Sequence, residues 1–171
     1  MAEAAAFTPE LLRRAGTLLE RCRQRGWHLA TAESCTGGLI AGCLTELAGS
    51  SDVVDRGYVT YSNGAKVELL GVRSETLARH GAVSEATARE MAEGALARAG
   101  CDLAIAVTGI AGPGGGSATK PVGLVHLAVA TRSGTQHRRC QFDGDRTAVR
   151  LATVAAALEM AAVAASASAV A

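Results

Sequence analysis

Leu103-Ala104-Ile105-Ala106-Val107, entered at Asp102 and left through the glycine-rich run from Thr108 to Pro121, decides how this chain folds. Five apolar residues without alternation read as a strand covered on both faces, the condition met where helices pack on each side of a sheet. Downstream, Val122 to Thr131 and Gln136 to Phe142 are two further strands, joined through Ser133-Gly134 as a two-residue hairpin and therefore antiparallel. Upstream, Ser84 caps a helix that carries Ala88, Met91, Ala92, Ala95, Leu96 and Ala99 on one face and stops at Gly100. Nearer the start, Thr8-Pro9-Glu10 opens an amphipathic helix ending at Gly26, Trp27 to Ala32 is a strand, and Gly37 to Leu47 is a helix. Asp52 to Tyr61 is a β-rich strand ending in the turn signal Ser62-Asn63-Gly64, with short helices following from Ala65 and after Ser74. Gly144-Asp145-Arg146 opens a last helix with Leu151, Val154, Ala155 and Leu158 on one face. Alternating strands and helices closed by a hairpin predict a layered α/β domain with a mixed sheet.

The composition narrows the function. The 171 residues, 49% hydrophobic and 19% charged, supply one core, placed at about residues 8–162 of a single domain, with the alanine-rich end 163–171 expected to fray. Only 3% of residues are aromatic, so Val, Leu, Ile and Ala must fill the interior. A net charge of +1 gives no field to gather nucleic acid or an anionic membrane, so neither is an expected partner. Met1 to Phe7 show no basic segment leading into an apolar one, which predicts a cytoplasmic protein. Leu151 to Ala171 is apolar in length, but alanine is weakly hydrophobic and Glu159 interrupts it, so it reads as a core helix rather than a membrane span. Five cysteines with no C-x-x-C pair predict reduced, buried thiols and no metal site.

Residue usage then singles out two positions. Of the 17 basic residues only Lys66 and Lys120 are lysines. A lysine kept against that bias suits a task closed to guanidinium, such as giving up a proton near neutral pH. Lys66 follows Tyr61-Ser62-Asn63-Gly64-Ala65, which contains the only asparagine, at a strand end where α/β sheets build sites. Glu33-Ser34-Cys35-Thr36-Gly37-Gly38 sits at another strand end before a helix, so Ser34 can be a nucleophile beside backbone amides, or Ser34 and Thr36 can simply cap the helix. Glu33 reads as orienting, and Cys35 as a lower-ranked alternative nucleophile. His28, His80, His126 and His137 lie in no catalytic motif, and no G-x-S-x-G is present, so a Ser-His-Asp triad is not supported. A Ser34–Lys66 pair remains, with the lysine pKa lowered from about 10.4 toward roughly 7 to 8 by an apolar cleft or a nearby arginine, and with Tyr61 orienting the amine. The glycine-rich loop lacks both the P-loop and the dinucleotide fingerprint and fits a phosphate monoester or similar small anion, with Arg146 and Arg150 as candidate phosphate contacts.

Taken together, Ala32-Glu33-Ser34-Cys35-Thr36-Gly37-Gly38, Tyr61-Ser62-Asn63-Gly64-Ala65-Lys66, Thr108-Gly109-Ile110-Ala111-Gly112-Pro113-Gly114-Gly115, Lys120-Pro121-Val122-Gly123 and Gly144-Asp145-Arg146 resemble the CinA C-terminal domain family, from roughly Leu11 to Met160. The resemblance implies a three-layer α/β/α sandwich with a mixed, mostly parallel sheet. It also implies a homo-oligomer and an amidase that converts nicotinamide mononucleotide to nicotinic acid mononucleotide and ammonia, without metal or organic cofactor. It makes Ser34 the nucleophile, Lys66 its base and Tyr61 an assistant. Thr36, Gly37 and Gly38 would offer oxyanion amides, and Asn63, Thr108, Gly109, Gly112, Gly114, Gly115 and Arg146 would meet the nucleotide. The alternative is a catalytically silent domain of the same fold that binds a small anion or nucleotide, or serves assembly. One departure is Gly64, where relatives often carry an acid. Many relatives also carry a larger domain ahead of this one, so a chain of this length is expected to be the free-standing form.

Overall fold

The computed structural model describes residues 6–166. Helix α1 (Pro9–Arg25) starts at Thr8, whose hydroxyl accepts from the Leu11 amide, and stops at Gly26 in the left-handed conformation. It leads into β1 (Leu29–Glu33), α2 (Leu39–Thr45), a 3-10 turn (Ser50–Asp52) and β2 (Val54–Val59). Three helices follow, α3 (Asn63–Leu70), α4 (Ser74–His80) and α5 (Glu85–Ala99), and then β3 (Leu103–Gly109), β4 (Leu124–Thr131), β5 (Gly134–Gln141) and α6 (Arg146–Ser166).

The strands form one open sheet in the order β2-β1-β3-β4-β5. The ladders β1–β2 and β1–β3 are parallel, and β3–β4 and β4–β5 are antiparallel. Two successive reversals return β5 to the direction of β1, so only β4 runs against the others, and the sheet is mixed with a mostly common strand direction. The hairpin departs from expectation by one residue. Thr131 pairs with Gly134, so the turn is Arg132-Ser133, tightened by the Ser133 amide donating to the Thr131 hydroxyl at 3.2 Å.

The sheet separates two cores, which makes three layers. Leu29, Leu103, Ile105, Val107, Val125, Leu127 and Val129 face α1, α2 and α6. The opposite face presents Ala30, Ala32, Ala104, Ala106, Ala128 and Ala130 to Met91, Ala92 and Ala95 of α5, with Leu70 and Val72 beside them. Alanine on that face lets α5 lie close to the strands. Helix α6 is long and apolar enough to cross a membrane by composition, but most of it is buried on α1 and the sheet. The fraying expected from residue 163 is not found as far as Ser166. Ala164 and Ala165 are buried, and Arg21 and Arg25 of α1 donate to the carbonyls of Ala162 and Ala165 at 2.6 and 3.2 Å. Residues 167–171 of that tail lie outside the described residues.

The close approach of α3 to α5 depends on Gly94, where an added Cβ would stand 1.8 Å from the Leu70 carbonyl oxygen. Helix propensity alone favours alanine over glycine by about 1 kcal/mol. Gly94→Ala is nevertheless expected to destabilise the protein by about 1–3 kcal/mol, because backbone must shift. Denaturant unfolding checks this, and an unchanged or raised midpoint would contradict the close approach.

Candidate active site

The motif strands β1 and β2 are neighbours, and their carboxyl ends carry the two groups that the sequence singled out. Ser34 follows β1 with its amide on the Val107 carbonyl at 3.1 Å, and Thr60 follows β2 with its amide on the Glu33 carbonyl at 2.9 Å. Ser62, read above as part of a turn, caps α3 by accepting from the Ala65 amide, and that cap starts the helix at Asn63. Lys66 thereby points from the first turn of α3 back over the strand ends. It is only 1% exposed, and Ser34 8%.

The Lys66 ammonium nitrogen meets three oxygens: Ser34 Oγ at 3.1 Å, the Thr60 carbonyl at 2.8 Å and the Tyr61 carbonyl at 3.4 Å. Among the described residues it has no carboxylate partner. Burial pushes its pKa below 10.5, and the nearby Cys35 thiol pulls weakly the other way. No arginine is needed for the lowering. Two of the three partners are carbonyls, which can only accept. Once Lys66 is neutral, its lone pair can take a hydrogen bond only from the Ser34 hydroxyl, so the geometry provides one route for the serine proton.

Glu33 organises the turn after Ser34. Fully buried, its carboxylate accepts from the hydroxyls of Thr31 at 3.1 Å and Thr36 at 2.6 Å, and from the amides of Ile40 at 2.8 Å and Ala41 at 3.0 Å. It thus caps α2 from six residues before the helix starts, and neither Ser34 nor Thr36 is the cap. Gly37 and Gly38 take left-handed φ of 58° and 102°, a pair of conformations that side chains disfavour. The Gly37 amide closes on the Ser34 carbonyl at 3.1 Å, while the Thr36 and Gly38 amides donate to no group among the described residues.

The remaining candidates divide. The Tyr61 hydroxyl does not reach the amine. It accepts from Arg146 at 3.1 Å, while its backbone carbonyl is the group at Lys66. Arg146 also donates to the Gly112 carbonyl at 2.8 Å, linking α6, the glycine-rich loop and Tyr61 at an exposed rim. Asn63 is exposed at the start of α3. The Thr108 hydroxyl is buried and donates to the Ala82 carbonyl at 2.8 Å. Gly109 and Gly112 lie where a Cβ would collide with Val125 and Val122, so their bareness serves packing, Gly115 takes a φ of 85°, and Gly114 stands in open space. Lys120 ties this loop to the His80 carbonyl at 2.6 Å. Arg150, expected at a phosphate, instead donates to the carbonyls of Cys35 and Thr36. Cys35 is an unfit nucleophile, because burial pushes its thiol up to about 11. His126 is a packed residue, stacked on His137 with a ring nitrogen contact of 2.9 Å. Position 64 is open in the first turn of α3, with Ser62 Oγ the one atom among the described residues within reach of a Cβ, at 3.9 Å, so an acid would fit there without a clash. Sequence reading missed Thr60, whose buried hydroxyl has no hydrogen-bond partner among the described residues and whose carbonyl holds the amine. A backbone acceptor leaves no signature in residue type.

The sequence profile of the CinA C-terminal domain matches residues 13–164. The chain belongs to the CinA C-terminal domain family. A family member from Escherichia coli named nicotinamide-nucleotide amidohydrolase PncC is 51% identical over 152 residues, 88% of this chain and 92% of that protein. A CinA-like protein from Syntrophobacter fumaroxidans is 52% identical over 139 residues, 81% of this chain, but the chain spans only 33% of its length. The crystal structure of the competence/damage inducible protein CihA from Agrobacterium tumefaciens superposes with a TM-score of 0.91 at 55% identity, covering 95% of this chain and 99% of that one.

Burial of Lys66 has a thermodynamic consequence that needs no substrate. Its folded pKa lies below the unfolded 10.5, so between the two values the unfolded chain binds the extra proton and stability rises with pH. Unfolding of wild type and Lys66→Met is expected to show this rise as a difference confined to that window, with the variant the flatter. Parallel stability curves would contradict a lowered Lys66.

Proposed function

We propose that this protein is an amidohydrolase that converts nicotinamide mononucleotide to nicotinic acid mononucleotide and ammonia, with Ser34 as nucleophile and Lys66 as general base. The observation that carries the reading is the 3.1 Å contact between the buried Lys66 amine and Ser34 Oγ, the one partner among its three hydrogen bonds that carries a proton. The activity named for the PncC relative supports the substrate. Ser34 Oγ attacks the carboxamide carbon as its proton passes to Lys66 Nζ. The carbonyl oxygen becomes an oxyanion, which the Thr36 and Gly38 amides stabilise. Lys66 returns the proton to the leaving nitrogen, the carbon–nitrogen bond breaks and ammonia departs, leaving a nicotinoyl ester on Ser34. Water then adds to the ester, losing a proton to Lys66, and collapse releases the carboxylic acid as Ser34 recovers that proton. No step draws on a metal or organic cofactor.

Arg146, the Tyr61 hydroxyl it meets and the loop around Gly112, Gly114 and Gly115 form the rim that would meet the ribose phosphate, and exposed Asn63 at the start of α3 is a further contact in this reading. Thr108 and Gly109 close β3 beside that rim, the Thr108 hydroxyl donating to the Ala82 carbonyl and keeping its lone pairs to accept from the ligand. Self-association is part of the reading, supported by the exposed apolar side chains Val59, Tyr61, Val67 and Leu69.

Incubation with nicotinamide mononucleotide should release ammonia and nicotinic acid mononucleotide in equal amounts. Ser34→Ala should bind the nucleotide but lose at least about 1,000-fold in kcat, and Lys66→Arg, which keeps charge but not a titratable amine, at least about 100-fold. Binding without turnover in the wild type would favour the silent domain, and full activity in Ser34→Ala would remove the nucleophile.

A further inference from the structure

The guanidinium of Arg150 lies against the turn that follows the nucleophile. From α6, Nε donates to the Cys35 carbonyl at 3.1 Å and Nη2 to the Thr36 carbonyl at 3.0 Å. Arg13, Arg14, Arg23, Arg56, Arg73, Arg89 and Arg132 each meet a carboxylate. Half-buried Arg150 meets none among the described residues, and its hydrogen bonds there go to these two successive peptides. Nε and Nη2 form one edge of a rigid planar fork, which matches two adjacent acceptors and which lysine cannot imitate.

Peptide geometry turns this contact into a consequence for the site. The Cys35 carbonyl and the Thr36 N–H belong to one planar trans peptide and point in opposite directions. Holding that carbonyl toward α6 directs the Thr36 N–H away from α6. The Thr36 carbonyl and the Gly37 N–H are coupled in the same way, and the Gly37 N–H lands on the Ser34 carbonyl at 3.1 Å. Glu33 secures Thr36 separately through its hydroxyl, at 2.6 Å. The Thr36 amide is thus aimed and left without an acceptor.

We propose that Arg150 is a positioning residue, which fixes two successive peptides so that the Thr36 amide faces the oxyanion formed at Ser34. This rests on the amidase reading above. A donor held in place before the reaction acts without reorganisation, and misplacing one such donor costs about 100- to 1,000-fold in kcat.

The test compares wild type, Arg150→Met and Arg150→Lys for turnover of nicotinamide mononucleotide, for rescue by added guanidinium ion, and for hydrogen exchange at the Gly37 and β3 amides. Arg150→Met should lose about 100-fold in kcat, with KM changed by less than about threefold. Guanidinium ion should restore part of the loss. The Gly37 amide should exchange faster while β3 keeps its protection. Arg150→Lys, charged but unable to span both carbonyls, should fall in between. A kcat within about threefold of wild type in Arg150→Met, or unchanged Gly37 exchange, would overturn the proposal. So would a loss that guanidinium does not relieve and that comes with exposure of β3, since that marks a purely structural role. If the wild type itself does not turn the nucleotide over, the amidase reading fails, and the exchange at Gly37 still decides whether Arg150 holds the turn.

Discussion

A lysine amine taken out of water without a carboxylate to meet it is the constraint on which this structure turns. Burying an ammonium unpaired is costly, and the protein offsets the cost only with two backbone carbonyls and one hydroxyl. That arrangement tolerates the charged form poorly and suits the neutral one, in which Ser34 is the single partner able to give a proton. A carboxylate partner would hold the amine charged, so the missing counter-charge is the feature that the proposed serine–lysine chemistry requires.

The rest of the fold can be read as support for that pair. Parallel pairing of β1 with β2 sets Ser34 beside Thr60 at the same end of the sheet, and the Ser62 cap begins α3 early enough to send Lys66 back over it. The alanine face of the sheet and the glycine at position 94 let α5 come close to the strands and to α3, the helix that carries Lys66. On the opposite side, Glu33 and Arg150 hold the turn after Ser34 by its side chain, by the amides of α2 and by two carbonyls. Four elements converge on a few peptide units.

Much of this was legible in the residues, and the exceptions share a cause. Helix α5 and its Ser84 cap, the unbroken apolar strand β3 and the lysine at 66 each announce themselves through local pattern or unusual usage. The misreadings come from partners distant in the chain. Arg150 shows only a charge in sequence, and its carbonyl acceptors lie more than a hundred residues earlier. The end of α6 looks weak in isolation because Arg21 and Arg25, which reach its carbonyls, stand about 140 residues away. Glu33 caps a helix from six residues upstream of its first residue, outside the usual capping position, and Thr60 acts through a backbone oxygen that residue type does not reveal. Tyr61, expected to orient the amine, meets it through its backbone carbonyl, while its ring hydroxyl accepts from Arg146.

Membership in the CinA C-terminal domain family and the proposed amidase chemistry meet at one physical quantity, the proton affinity of Lys66. The chain has only two lysines, so nitrogen NMR of protein labelled at the lysine side chains gives two amine signals, and a Lys120→Arg variant assigns them. Followed across pH in the absence of substrate, the Lys66 signal should titrate clearly below 10.5. A Lys66 amine that stays protonated up to 10.5 or beyond would contradict the account, because a lysine charged throughout the working range cannot accept the proton of Ser34.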